Sequence, residues 1–125
     1  MVNNLEQGSA EWLELRKTKI TATDAAVIMG VSPYSTPYQL MQEKLNLRPP
    51  KASNAAMQRG NLMEEELRKE YNELSGMDFI PAIKLHGEFL MASLDGLTFA
   101  EDAILEIKTC NKKVFAEVKE GKVPA

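Results

Sequence analysis

An apolar run of strand length that ends in Asp-Gly, followed closely by a run alternating charged and apolar residues, constrains this chain most. The first run is Phe89-Leu-Met-Ala-Ser-Leu-Asp95-Gly96-Leu97 and the second is Ala103-Ile-Leu-Glu106-Ile-Lys108-Thr109. Side chains two apart on a β-strand share a face. Ile104, Glu106 and Lys108 therefore point one way, and Leu105 and Ile107 point into a core. A hairpin turning at Ala100-Glu101 sets Asp95 opposite Glu106, with β-carbons roughly 5 Å apart. Two carboxylates that close repel, so one is protonated or a cation lies between them. Folding alone supplies no reason for either group, and the stretch reads as a metal site. The plainer alternative is an exposed hairpin whose polar face carries solvated charge.

The chain's 125 residues suffice for one domain and a modest core. A hydrophobic content of 44% and a charged content of 26% are those of an ordinary globular protein. No apolar run approaches membrane-spanning length, and the first residues lack a basic-then-apolar signal pattern. The single cysteine, Cys110, excludes an internal disulfide and any Cys-only zinc or iron–sulfur site, so a cytoplasmic location is expected. The net charge of −3 does not advertise nucleic-acid binding. Its distribution is more suggestive: Arg16, Lys17 and Lys19 cluster early, Lys108 to Lys122 is basic, and acids crowd between Glu64 and Glu73. Basic ends around an acidic centre can hold phosphates.

Along the chain, Ser9 caps an expected helix over 9–17 with Trp12 and Leu15 inward. A second helix is expected over 22–29. Thr21 and Asp24 shape its capping box, Gly30 stops it, and Ala22, Ala25, Ala26 and Met29 form a small-residue packing face. Pro37 opens a third helix over 38–45, and Arg48-Pro-Pro-Lys-Ala-Ser-Asn54 reads as an exposed linker. A long helix over 55–74 follows, with an inward seam of Gly60, Met63, Leu67, Tyr71 and Leu74. Glu64 falls on that seam while its neighbouring glutamates do not. A carboxylate so placed needs a partner, which is either Arg59 or Arg68, or a metal shared with Asp95 and Glu106. Phe79 to His86 reads as a strand that Pro81 confines to an edge or a bulge, with His86 at the surface. Asn111 to Glu120 reads as a last helix packing through Val114, Phe115 and Val118.

Four blocks in order then resemble the PD-(D/E)xK nuclease superfamily, and within it the phage-type YqaJ recombinase group that includes lambda exonuclease. They are Trp12-Leu-Glu-Leu-Arg16-Lys-Thr-Lys-Ile-Thr-Ala-Thr23-Asp24-Ala-Ala, Arg59-Gly60-Asn-Leu-Met-Glu64, Ser93-Leu-Asp95-Gly96-Leu97 and Leu105-Glu106-Ile107-Lys108. Leu94 stands where the superfamily label has its first proline. The resemblance implies an α/β (α+β) fold with a restriction-endonuclease-like core. N-terminal helices, a long helix, antiparallel strands around a metal site and a C-terminal helix would make up one nuclease-like domain over 1–125. That domain would be incomplete at its C-terminus relative to the family.

By matched position, the resemblance implies that Asp95, Glu106 and the Ile107 carbonyl hold a catalytic Mg2+ or Mn2+. Glu64 would support the metal or its waters, and Lys108 would help activate the attacking water. Arg16 and Thr23 would hold a DNA 5′-phosphate. For Arg16 the helix start at Thr21 to Asp24 adds free N–H groups that favour an anion, and the bland alternative is an ion pair with Glu14 or Glu11. The residue types suit the chemistry, because a hard cation takes oxygen ligands. The expected activity is a metal-dependent 5′→3′ exonuclease on double-stranded DNA ends in a bacterial or phage-infected cell. Implied partners are a single-strand annealing protein and further copies of the chain in a homo-oligomer, with no membrane. The alternatives are a non-cutting remnant that folds and binds a metal or DNA ends, and a restriction-type endonuclease.

Overall fold

Capping chemistry sets most helix boundaries in the computed structural model, which describes residues 5–49 and 52–123. Helix α1 (Ala10–Lys17) begins at Ser9, whose side chain accepts the Trp12 N–H. Strand β1 (Ile20–Thr21) leads directly into helix α2 (Ala22–Ile28). Both arms of the Thr21–Asp24 capping box are present there, and Gly30 takes a left-handed φ just past the helix. Thr36 and Gln39 form a second capping box for α3 (Pro37–Lys44), with Pro37 in its first turn. Helix α4 (Ala55–Ser75) starts at Asn54 and ends at Gly76, which is left-handed at φ 69°. Strands β2 (Phe79–His86), β3 (Leu90–Thr98) and β4 (Ile104–Leu105) follow, then helix α5 (Lys112–Lys119) capped by Asn111. Pro50 and Lys51 of the expected linker lie outside the described residues.

The described residues thus form a mixed α/β fold of five helices and a four-stranded, mostly antiparallel sheet. Strand β3 is its hub. It pairs antiparallel with β2 along one side; on the other side it takes β1 in parallel at one end and β4 antiparallel at the other. The parallel contact, Ile20 with Leu90 and Thr21 with Met91, is a departure from the antiparallel-only expectation. A two-residue strand pairing across so long a sequence separation carries no periodic signal to read. The β3–β4 register, Gly96 with Leu105 and Leu97 with Ile104, is the expected one; one further step sets Asp95 opposite Glu106.

Pro81 produces the bulge its type foreshadowed. Ile80 pairs with Leu97 and Ala82 with Leu94, so Pro81 alone faces both Asp95 and Gly96. The carbonyls of Ala82 and Leu94 flank this break, and the Gln7 side-chain amide donates to both, at 3.2 and 3.0 Å. A β-carbon on Gly96 would fall 2.8 Å from Phe79 Cβ and 2.9 Å from Leu105 Cβ. Phe79 in turn packs on Tyr71 of α4, with ring centroids 5.9 Å apart. Asp95 lines a cleft with Glu64 of the same helix. Asp95 therefore faces the cleft, and only a glycine fits in the position after it.

The core is small: Val27, Phe79, Ala82, Ile83, Met91 and Leu97 are its buried apolar side chains. Three expected packing faces differ. In α2 the buried residues are Asp24 and Val27, whereas Met29 is 76% exposed, because the capping and ion-pair bonds of Asp24 turn that side inward. In α4 the inward line is Gly60, Glu64, Leu67, Arg68 and Asn72, with Met63, Tyr71 and Leu74 exposed. Asn72 sets this rotation by bonding both the N–H and the carbonyl of Phe79. In α5 Phe115 and Val118 remain 57% and 49% exposed, since no other described element covers them. Substituting Gly96→Ala should lower stability by about 1–3 kcal/mol through overpacking against Phe79 and Leu105. Chemical denaturation measures this, and an unchanged midpoint would remove the close approach.

Candidate active site

One cleft of about 960 Å³ runs between the α1–α2 segment, the start of α4 and the C-terminal ends of β3 and β4. Arg16, Thr23, Glu64, Asp95, Ile107 and Lys108 all line it. Six of the seven residues singled out in the sequence thus face a shared space. Glu106 is the seventh. Its carboxylate does not line the cleft but pairs with the Lys108 ammonium at 2.6 Å, the two side chains being 56% and 79% exposed. That hydrogen bond, and then the nearby carboxylates, hold the Lys108 pKa above its usual value.

Asp95 reaches the second run through its backbone. Its carboxylate accepts the Ile107 N–H at 2.8 Å, which extends the β3–β4 pairing beyond the ladder's last residue. Gly60 brings α4 close on the other side, where its absent β-carbon would touch Thr109 Oγ1 at 3.4 Å. One turn after Gly60, Glu64 is only partly exposed and sits 3.5 Å from Arg68, a long charge-assisted contact. Arg68 is therefore present, at a long distance, as one expected partner of Glu64. Burial raises its pKa first, and the negative charges of Asp95 and Glu106 raise it further, against opposing pulls from Arg68 and Lys108.

These donors suit a hard cation in chemistry and sign. Carboxylate oxygens from Glu64 and Asp95 share the cleft, and Glu64 feels more negative charge than its basic neighbours offset. Their present arrangement is looser than a finished site. Among the described residues no three acidic, His or Cys side chains gather closely enough to hold a metal ion. The cause is visible in the pairings: Glu106 is turned to Lys108, Glu64 to Arg68 and Asp95 to the Ile107 N–H.

At the other end, Arg16 pairs with neither Glu14 nor Glu11. Lys17 takes Glu14, and the Arg16 guanidinium lies over the Trp12 ring at 4.3 Å from its centroid. The Trp12 indole N–H donates to Ser93 Oγ at 3.0 Å, two residues before Asp95. The start of α2 already has an anion of its own in Asp24, so the helix-end argument for a phosphate is weaker than expected. Asp24 is 6% exposed. Burial pushes its carboxyl up, but bonds from Lys44 and Thr21 and the Lys44 charge outweigh this and hold it below its usual value. Lys44, Gln7 and the indole bond of Trp12 had no signature in the sequence. A lysine in the last turn of a helix is the commonest of surface residues.

The cleft's residues fall within a wider similarity. The YqaJ-like viral recombinase domain family matches residues 11–125. The uncharacterized protein YqaJ of Bacillus subtilis is 32% identical over 129 residues, covering 99% of this chain and 40% of that protein. The crystal structure of an alkaline exonuclease, LHK-Exo from Laribacter hongkongensis, superposes with a TM-score of 0.70 at 30% identity. Its complex with dAMP gives 0.69, and each alignment covers 92% of this chain and 61% of the exonuclease. The chain thus spans 40% of the Bacillus protein and 61% of the exonuclease, less than two thirds of either.

The raised Glu64 pKa has a consequence for stability. A carboxyl whose folded pKa exceeds its unfolded value favours the fold at low pH and opposes it as pH rises through the folded value. Without divalent ions, Glu64→Gln should melt close to the parent below about pH 4, where both states of the glutamate are protonated. It should melt above the parent at pH 7. Thermal melts across that range check it, and a parent that is the more stable at pH 7 would contradict the charge balance described.

Proposed function

Because the chain belongs to the YqaJ-like viral recombinase family, we propose that its cleft is the active site of a Mg2+-dependent deoxyribonuclease that digests duplex DNA from its ends, 5′ to 3′. One observation carries this reading: a single cleft holds an arginine without a carboxylate partner among the described residues and, further along, the acids Glu64 and Asp95 beside Lys108. Asp95, Glu106 and the Ile107 carbonyl would hold the magnesium, with Glu64 supporting its waters. Bound there, the ion would polarise the scissile phosphate and lower the pKa of the attacking water.

The chain's own groups do the rest. Lys108 is a compact ammonium on the segment after β4 that also carries Glu106, placed to orient the water or offset charge developing on the phosphate. Glu106 serves the cleft only by leaving Lys108, so cation and lysine compete for one carboxylate. Arg16 presents a planar guanidinium backed by Trp12, and Thr23 adds a hydroxyl. Together they suit a terminal phosphate, which Arg can hold with two bonds. Duplex ends are the partner this scheme requires. A single-strand annealing protein and self-assembly belong to the same proposal through the family.

A second reading has an observation in its favour. The outward Glu106–Lys108 pair and the loose carboxylates suit a chain that binds ends or a cation without cutting. Linear 5′-phosphorylated duplex with Mg2+ separates the two. Release of mononucleotides that stops with chelator, with closed circular DNA left intact, is the expected result. Asp95→Asn and Lys108→Met should each slow it by about 100-fold or more. Cutting that survives Asp95→Asn would remove the active site from this cleft. End binding without cleavage would favour the second reading.

A further inference from the structure

Resting on the reading of Arg16 as the phosphate anchor, we infer that Lys44 is the positioning residue of that anchor, pinning the backbone on which Arg16 is mounted. Lys44 lies in the last turn of α3, 28 residues from Arg16 in sequence. Its ammonium donates to the Arg16 carbonyl at 2.8 Å and to the Lys19 carbonyl at 2.6 Å, and it meets Asp24 Oδ2 at 2.9 Å. An ammonium has three N–H donors, and all three are used. The three acceptors belong to three successive pieces of the phosphate end: the last turn of α1, the residue leading into β1, and the first turn of α2 next to Thr23.

That convergence is uncommon for a surface lysine. A solvated lysine gains little from an ion pair and holds no fixed geometry. Here the partner carboxylate is buried and is itself fixed by the Thr21 N–H at 2.9 Å. Asp24 thus holds Lys44 in place, and Lys44 holds the Arg16 carbonyl. The guanidinium at the other end of Arg16 is located by Trp12. With backbone and head both fixed, the arginine presents its donors without first losing conformational freedom, which is where a preorganised site gains affinity. Without Lys44 the turn between α1 and β1 keeps the Thr18 and Lys19 N–H bonds to the carbonyls of Leu15 and Arg16 and the Lys19 ammonium on the Glu88 carbonyl, but nothing among the described residues ties the Arg16 carbonyl to α3.

The test compares binding of duplexes carrying a 5′-phosphate or a 5′-hydroxyl, at fixed salt and in chelator so that neither is cut. The parent should prefer the phosphate by about tenfold or more, the scale of charge-assisted hydrogen bonds, and Arg16→Ala should lose the preference. Lys44→Met should bring the ratio to within about twofold of unity while 5′-hydroxyl affinity, set by general backbone electrostatics, changes less than about threefold. A general loss of structure would weaken both duplexes together and leave the ratio unmoved. Lys44→Met leaves Asp24 buried and unpaired, so the double variant Lys44→Met/Asp24→Asn removes that charge; it should fold and still lack the preference. If either folded Lys44 variant keeps the parent's ratio while Arg16→Ala loses it, the positioning role is overturned alone. A parent with no preference, or an Arg16→Ala variant that retains it, overturns the phosphate end and this inference with it.

Discussion

The pairing of one proline with two residues is the constraint from which this site follows. Pro81 brings no N–H to the ladder, and β3 answers by fitting Asp95 and Gly96 into the space of one residue. The consequence is directional. Asp95 is turned toward α4, into the cleft with Glu64, and its carboxylate is free to take the Ile107 N–H. Gly96 occupies the one place where any β-carbon would strike Phe79 and Leu105. In the Asp-Gly pair the glycine is thus explained by packing, and the aspartate bonds the segment after β4 and lines the cleft. Gln7 closes the break from the N-terminal side by bonding the two carbonyls that flank it.

Charge explains how the same residues are held when nothing but protein surrounds them. The acids and bases of the cleft sort into local pairs: Glu64 with Arg68, Glu106 with Lys108 and Asp24 with Lys44. The pairs differ in kind. Asp24–Lys44 is the most buried and shares its ammonium with two carbonyls, so it acts as a fixed strut. Glu106–Lys108 is exposed and costs little to open, as surface pairs do. Glu64 lies between, raised in pKa by its neighbours and only loosely met by Arg68. A divalent cation would therefore take carboxylates whose present partners are weak and leave the strut untouched.

Periodicity and capping were legible in the sequence, and tertiary contacts were not. The Asp95–Glu106 register followed from a hairpin and a period of two, and β2 begins and ends where Phe79 and His86 suggested. The caps of Ser9 and Thr21 stand where local chemistry put them, while Asn54 and Asn111 cap helices whose starts had been read without them. Helix rotation was harder. Counting apolar residues put Met63, Tyr71 and Leu74 inside, but Asn72 and Arg68 have bonds to make and turned α4 by part of a turn. The same happened in α2, where the alanines lost the inner face to Asp24. Hydrophobic patterns describe helices whose apolar face decides their orientation. Near a polar cleft, hydrogen bonds such as Asn72 to Phe79, 7 residues away, and Trp12 to Ser93, 81 away, outrank them, and such partners leave no local trace. Glu64 could be found because one glutamate on an apolar seam is an anomaly; Lys44 could not, because a lysine near a helix end is ordinary.

The two ends of the cleft are joined by short, stiff links, and this bears on why such a site would favour chain ends. Arg16 is stacked on Trp12, Trp12 is bonded to Ser93, and Ser93 precedes Asp95 by two residues on β3. The path from guanidinium to carboxylate crosses one ring contact, one hydrogen bond and a strand segment backed on one side by β2. A strand is among the least extensible elements of a protein, at roughly 3.3 Å per residue. The separation between an anchored phosphate and the acids is then a property of the sheet, not of a mobile loop. A nucleic acid held at Arg16 by a phosphate with a free end would meet the acids at one set distance along its backbone. An internal phosphate, esterified on both sides, offers fewer oxygens to a bidentate arginine and must carry a chain onward past the anchor. Under the proposed function, fixed geometry combined with a phosphate anchor at Arg16 would favour stepwise removal from an end over a cut in the interior.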